Sequence, residues 1–443
     1  LILVVIPDST IAVSRCLLPT QHQGQAISDQ MSMGNGFISV HRFVPRARVG
    51  SLLAMTWTMP KDDFSHWLLP GALILLCLCP AVEAAPPLTQ RLHEVVEQAP
   101  IDGDFTGVVL VWSGETVLLR RGYGLADRDR GLPNGPGTLF EIASLSKHFV
   151  ATLAYRLVTE SVLSEETTVA EIFPQAPERT GRITVDQLIH HTSGLPTYTQ
   201  WENWPQLSRQ PIATQVFVSE LLDQTLDFEP GTRFSYSNSG YYVLGALLER
   251  ASGRPLGLLL QEKVFSPAGM TASYLMTASA NEGGSRAIGY ERLEDGREFP
   301  VQLLVPSRSF AAGAIVSTAD DLHRWSRWVQ SGGLAPEITT ELLAPSLGNY
   351  GGGLLVARAD PQQMHRFLDS PFSYEGGREN CRVSWHWGSN PGFNAMMLWL
   401  GQDHGMLLLE NREDLTVERS TRLFQLAANL VRELASAQSQ LCS

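Results

Sequence analysis

From residue 86 onward the apolar positions follow two periodicities, and where each one occurs along the chain outlines an architecture. Leu88, Leu92 and Val95 or Val96 recur at helical spacing and predict a short amphipathic helix over 88–99. Two apolar runs follow, 105–112 and 116–119, joined by Ser113-Gly114-Glu115, which predicts a β-hairpin. Near the other end, 394–400 and 406–411 form a second predicted strand pair across Gly401-Gln402-Asp403-His404-Gly405. Leu423, Ala427, Leu430 and Leu434 then mark a closing helix. Between about 144 and 300 the pattern is mainly helical and loop-rich. Leu153, Ala154 and Leu157 form a stripe, and 184–190 and 241–251 predict further helices.

Hairpins at both ends predict one antiparallel sheet assembled from the two termini and flanked by helices, with a helical lobe over about 150–300 beside it. The expected class is α+β, an α/β sandwich, with the site in the cleft between lobe and sheet.

Residues 1–85 are expected to be an extension separate from a catalytic body spanning 86–443. Met31, Met33, Met55 and Met59 offer starts later than Leu1, so part of the extension is expected to be over-extended translation without structure. Residues 67–82 (WLLPGALILLCLCPAV) form an apolar run after Lys61 and before Val82-Glu83-Ala84-Ala85, the layout of a secretory signal and small-residue cleavage site. The run is short for a membrane span and is interrupted by Pro70 and Pro80, while Asp62 and Asp63 offset Lys61. Export to the periplasm or medium is the expectation. An uncleaved anchor is the alternative, and the sole route expected to a membrane.

A composition of 44% hydrophobic and 18% charged residues is that of a soluble globular protein. The net charge of -12, without any basic run in the body, excludes nucleic acid as the natural partner. Of five cysteines, Cys77 and Cys79 lie in the expected signal and Cys16 upstream of it, leaving Cys381 and Cys442 able to pair in an oxidising compartment. Cys-x-x-Cys and His-Glu-x-x-His spacings are missing, so a metal is not implied.

The candidate chemistry begins with lysine usage. Only three lysines occur, Lys61, Lys147 and Lys263, and one of them closes Ser144-Leu145-Ser146-Lys147. An ammonium can lose its proton on desolvation, whereas a guanidinium effectively cannot. Lys147 is thus a candidate base three residues after a candidate nucleophile, a spacing that puts both on one helix face. Two further segments offer partners: Tyr236-Ser237-Asn238, expected in a turn before a helix, and His386-Trp387-Gly388, expected at the start of a strand. A phenol whose pKa is lowered by a neighbouring ammonium can relay a proton, and a carboxamide can hold both Lys147 and a substrate amide. A strand edge after Gly388 can present an N–H to an oxyanion.

Ser144-x-x-Lys147, Tyr236-x-Asn238 and His386-x-Gly388, in that order, resemble the serine hydrolases of the class C β-lactamase and penicillin-binding protein superfamily. The resemblance extends to Phe140-Glu141-Ile142-Ala143-Ser144, His191-Thr192-Ser193-Gly194-Leu195-Pro196, Phe228-Glu229-Pro230-Gly231-Thr232 and Ser317-Thr318-Ala319-Asp320-Asp321-Leu322, covering roughly 88–434. It implies a β-lactamase/transpeptidase-like fold with Ser144 as acylated nucleophile, Lys147 as its base or relay and Tyr236 as second acid/base. Asn238 would position substrate, backbone N–H groups of Ser144 and Ser389 would hold the oxyanion, and no metal or cofactor would be needed.

One departure bears on substrate. Penicillin-recognising members carry Lys-Thr-Gly or a close variant in the third box, where this chain has His386-Trp387-Gly388. A mostly neutral imidazole weakens a carboxylate anchor, and Trp387 is expected to place an indole where a hydroxyl would have helped. The expected partner is therefore an ester or peptide-like amide, with a D,D-carboxypeptidase or β-lactamase as the alternative and an idle binding protein as a more remote one. His190 and His191 are expected to be loop and packing groups. Trp201 and Trp204 are expected either at a substrate rim or in lobe packing. Gly351-Gly352-Gly353 is expected to lead into a strand, and Ser113 to be a turn residue.

Overall fold

The computed structural model describes residues 86–98, 105–277, 286–293, 295–358, 381–414 and 421–437, together with the backbone of five strands before residue 59. The chain divides into two compact units, Leu1–Ala85 and Pro86–Ser443. In the first, strands Ile2–Ile6, Thr10–Arg15, Gln30–Met33, Gly36–Phe43 and Leu52–Thr58 make one antiparallel sheet, the second and fourth each pairing with the fifth. Strands thus occur within the extension, part of which was expected to be without structure. Runs such as Ile2–Ile6 (ILVVI) are rich in β-branched residues, which favour extended pairing. The expected signal at 67–82 lies outside the described residues.

The second unit is organised by a six-stranded antiparallel sheet. Its strands are β1 (Gly107–Ser113), β2 (Thr116–Tyr123), β3 (Leu355–Arg358), β4 (Arg382–Asn390), β5 (Phe393–Leu400) and β6 (His404–Glu410), in spatial order β3-β4-β5-β6-β1-β2. The early and late strands of this unit meet where β6 pairs β1, with Leu407 opposite Leu110. Both predicted hairpins form, and the sheet is built from both termini as their placement implied.

Successive strand residues point to opposite faces, and here both faces are covered. Leu110 and Trp112 of β1, Met397 and Trp399 of β5 and Leu409 of β6 enter a core shared with the helical lobe. Val109, Val111, Met396, Leu398 and Leu408 enter a second core with helices α1 (Leu88–Glu97) and α5 (Thr421–Ala437). Burial on both sides explains why these strands read as unbroken apolar runs rather than alternating ones.

In the lobe, α2 (Ser146–Thr159) is buried almost all round, as expected of a helix enclosed by others, and it packs against α3 (Asn238–Ser252). The helix α4 (Ala319–Gln330) starts at Thr318, whose hydroxyl accepts the Asp321 N–H at 3.0 Å, and buries Leu322, Trp325 and Val329 in the same core. Val185–Ile189 is opened by a capping box between Thr184 and Gln187. Among the described residues no helix is long and apolar enough to cross a membrane.

Candidate active site

Ser144 lies in a single 3₁₀ turn, Ala143–Leu145, immediately before α2, and not inside the helix as its spacing to Lys147 had suggested. The chain arrives along the strand Phe140–Glu141 and reverses sharply into α2. Ala143 accommodates the reversal at φ +47°, in the left-handed region that residues with a Cβ seldom occupy. Such strain persists only where the surroundings over-determine it.

One turn on, Lys147 is fully buried, and its Nζ donates to three acceptors. These are Ser144 Oγ at 3.0 Å, Asn238 Oδ1 at 2.8 Å and the Ala312 carbonyl at 2.7 Å. All three partners are uncharged. Desolvation therefore dominates and pushes the amine's pKa well below that of an ordinary lysine.

Tyr236 and Asn238 arrive at the start of α3, where Ser237 caps the helix by accepting the Gly240 N–H at 3.2 Å. The Tyr236 hydroxyl is hydrogen-bonded to Ser144, and Lys147 Nζ stands 5.0 Å from the Tyr236 ring centroid. A phenol lowered by a neighbouring ammonium was expected. Burial instead raises Tyr236 above its ordinary range, and the Ser144 hydrogen bond offsets this only in part. Asn238 does hold Lys147 through Oδ1, and one N–H of its Nδ2 donates to Thr199 Oγ1 at 3.2 Å, which leaves the second N–H of the carboxamide for substrate.

The third box sits in the middle of β4 and not at the start of a strand. Strand alternation divides its residues between two faces. Trp385 and Trp387 point toward α5, where Trp387 stacks on Trp385 at 5.3 Å and meets the edge of Phe424 at 5.5 Å. Trp387 is thus a packing residue of the second core, which corrects the expectation of an indole in the groove.

His386 and Gly388 face the lobe. His386 is buried, with Nε2 3.0 Å from the Tyr350 hydroxyl and Nδ1 bonded to the Trp387 carbonyl. Burial, reinforced by the charge of Lys147, takes its pKa down to about 3. With both nitrogens engaged it stands behind the site as a neutral support, and the expected direct contact with substrate is corrected accordingly.

Gly388 permits the closest approach in the site. A Cβ there would lie 2.3 Å from the Ile142 carbonyl oxygen and 2.6 Å from the Ser144 nitrogen. Only glycine lets β4 pass the nucleophile's turn at this distance. β3 pairs with β4 only over Arg382 to Trp385, and among the described residues no strand pairs with the outer edge of β4 beyond Trp385. Ser389 lies on that stretch. Its end is held by Asn390, whose Nδ2 donates to Glu141 at 2.8 Å, and the buried Glu141 is also paired with Arg286.

Aromatic rings back the phenol. His191 packs 4.3 Å from the Tyr236 ring, at φ +58°, and its Nδ1 accepts the Ser237 N–H at 3.0 Å. Tyr350 bonds to Tyr241, whose hydroxyl donates to the Ile189 carbonyl at 2.9 Å. His190 pairs with Asp186 at 2.7 Å, so both histidines have the packing and loop roles expected of them.

A cavity of about 500 Å³ opens over Ser144, lined also by Asn238, Ser389, Trp204, Arg209 and Glu291. That volume is ordinary for a small-molecule site. Trp204 belongs to its wall, whereas Trp201 packs edge-on against Phe217 at 5.9 Å, so the two tryptophans divide between rim and lobe. Among the described residues no group of three or more His, Cys, Asp or Glu side chains converges to hold a metal. Tyr350, Thr199 and the Ala312 carbonyl escaped the sequence reading. A backbone oxygen carries no residue signature, and the only mark near Tyr350 was the glycine run that follows it.

A serine whose hydroxyl touches both a buried amine and a phenol, beside the β4 strand edge, defines a serine hydrolase. The beta-lactamase family model matches residues 92–429, and the chain belongs to that family. It is 28% identical to penicillin-binding protein 4* of Bacillus subtilis over 343 residues, 73% of this chain and 72% of that protein. To esterase EstB of Burkholderia gladioli it is 31% identical over 277 residues, 54% of this chain and 69% of that one. In structure it matches the D-amino acid amidase of Ochrobactrum anthropi with a TM-score of 0.64 at 21% identity, covering 79% of this chain and 99% of the amidase. The class C beta lactamase of Rhodobacter sphaeroides matches with a TM-score of 0.61 at 22% identity, with the same coverage, so the α+β fold is β-lactamase/transpeptidase-like.

Proposed function

We propose that the protein is an exported serine acyl-hydrolase that forms an acyl-enzyme on Ser144 from ester or peptide-like amide substrates. The observation that carries this is the contact of Ser144 Oγ with the buried, desolvated amine of Lys147. Once deprotonated, Lys147 keeps two N–H donors for Asn238 Oδ1 and the Ala312 carbonyl and turns its lone pair to Ser144, whose proton it takes as Oγ bonds to the carbonyl carbon. The backbone N–H groups of Ser144 and Ser389 receive the oxyanion. Tyr236 keeps its proton in the resting site, because burial raises its pKa, and so acts as the acid toward the leaving group. The ammonium of Lys147 then restores the phenol. Water repeats the sequence on the acyl-enzyme and releases the acid.

Two observations favour this substrate class over penicillin-like acids. His386 is buried and neutral, and Trp387 faces away, so the third box offers no cation to a substrate carboxylate. Relatives named as an esterase and as a D-aminopeptidase support the same direction. Export is supported by the apolar run at 67–82 and by Cys381 being disulfide-bonded, a state that persists in oxidising compartments. The test is kcat/KM for p-nitrophenyl acetate and butyrate against nitrocefin. Faster turnover of the esters supports the reading. Faster nitrocefin hydrolysis, or stoichiometric labelling by a fluorescent penicillin, assigns the site to D,D-peptidase or β-lactamase chemistry instead.

A further inference from the structure

The cavity over Ser144 contains one charge of each sign, and the two are not paired. Arg209 and Glu291 both line it, yet among the described residues neither side chain has an ion-pair or hydrogen-bond partner. Each is carried on backbone that is tied down. Arg209 follows the short helix Trp204–Leu207, in a loop held where Ser208 accepts the Val305 N–H at 2.9 Å and Gln210 accepts Arg308 Nε at 2.9 Å. Glu291 lies in the strand Tyr290–Arg292, which pairs with Glu298–Pro300 on one side and Arg412–Asp414 on the other. Its neighbour Tyr290 is buried, with its hydroxyl accepting the Arg128 N–H at 2.8 Å.

Two unpaired opposite charges carried on tied-down backbone, in a cavity the size of a small ligand, complement a molecule that carries both charges. From this placement we infer that the enzyme's substrates are zwitterionic, peptide-like amides: Glu291 reads a free ammonium and Arg209 a free carboxylate on the same molecule. This deepens the proposed function and rests on it. It also separates two substrate sets that the catalytic residues alone treat alike, since an uncharged ester can acylate Ser144 without using either charge.

The experiment uses dipeptides of D and L configuration in four forms: unblocked, N-acetylated, C-terminally amidated, and blocked at both ends. Within each protein, kcat/KM is taken as the ratio of unblocked to blocked substrate. Wild type is expected to favour the unblocked form over either singly blocked form by tenfold or more. Glu291→Gln should collapse the ratio against the N-acetylated form to about one while keeping the ratio against the amidated form, and Arg209→Gln should do the reverse. A wild-type enzyme that acylates Ser144 with p-nitrophenyl acetate but shows ratios near one in every comparison overturns this inference and leaves the proposed function standing. Substitutions that lower all four substrates equally, with ratios unchanged, overturn it as well. Failure of every ester and amide to acylate Ser144 overturns the proposed function and this inference together.

Discussion

The Nζ of Lys147 lies 3.0 Å from the Oγ of Ser144, and the amine's other two acceptors, Asn238 Oδ1 and the Ala312 carbonyl, come from two further segments of the chain. Three uncharged contacts fix the position of an amine that burial inclines to lose its proton. Position and protonation state are thus set by different features of one pocket, so they can be separated by mutation.

Lys147→Arg should place a permanently charged guanidinium near Ser144 that cannot supply a base. We predict a loss in kcat of about 10²–10⁴-fold, with KM for p-nitrophenyl butyrate changed far less. In the wild type, the acid limb of kcat/KM against pH should report deprotonation of this amine, at a pH well below the range of ordinary lysines. A limb first reached near the ordinary lysine value would show that the pocket does not lower the pKa.

Gly388→Ala tests the close approach of β4 to the nucleophile's turn. The added Cβ would fall 2.3 Å from the Ile142 oxygen and 2.6 Å from the Ser144 nitrogen, both backbone atoms. Overpacking of this kind costs about 1–3 kcal/mol, and the displaced strand edge should lower kcat by ~10²-fold or more. Gly135→Ala is the matched control, because nothing lies within 4 Å of a Cβ there. Thermal unfolding and single-turnover acylation of both variants decide the point.

Tyr350→Phe removes the hydroxyl that meets His386 Nε2 at 3.0 Å and bonds to Tyr241, leaving buried partners unsatisfied. A destabilisation of about 1–3 kcal/mol is expected in denaturant unfolding, together with a lower kcat through the Tyr236 ring that this block supports. An unchanged midpoint and unchanged kcat would remove the block's supporting role.

Buried neutral histidines make the fold acid-sensitive. Burial takes His386 down to about 3 and His148 to about 4, against an ordinary value near 6.5. The unfolded chain therefore binds protons at these positions before the folded one does. Stability is complete above about pH 6.5 and falls as pH drops toward those folded values, by about 1.4 kcal/mol per pH unit for each histidine. Urea unfolding midpoints between pH 7 and 4 should decline accordingly, and a flat profile would contradict the burial of these rings.

Much of the architecture was legible because the strands and closing helices are strongly periodic. Leu423, Ala427, Leu430 and Leu434 identified α5, and Ser113-Gly114-Glu115 the first hairpin turn. The catalytic trio was legible from residue type and spacing. What the sequence withheld was direction. Strand register alone decides that His386 faces Tyr350 while Trp387 faces α5, and a one-residue shift would exchange them. The phenol's raised pKa was hidden for a related reason, since it depends on burial by His191 and its neighbours, not on the presence of Lys147. Arg209 and Glu291 gave no local signal at all, because their meaning comes from sharing one cavity.

The most direct test is intact-mass measurement of wild type and Ser144→Ala after brief exposure to p-nitrophenyl butyrate. A transient adduct of one acyl group is expected on the wild type, mapped to the peptide bearing Ser144, and none on the variant. An adduct that persists on Ser144→Ala, or turnover unaffected by that substitution, would contradict Ser144 as the nucleophile.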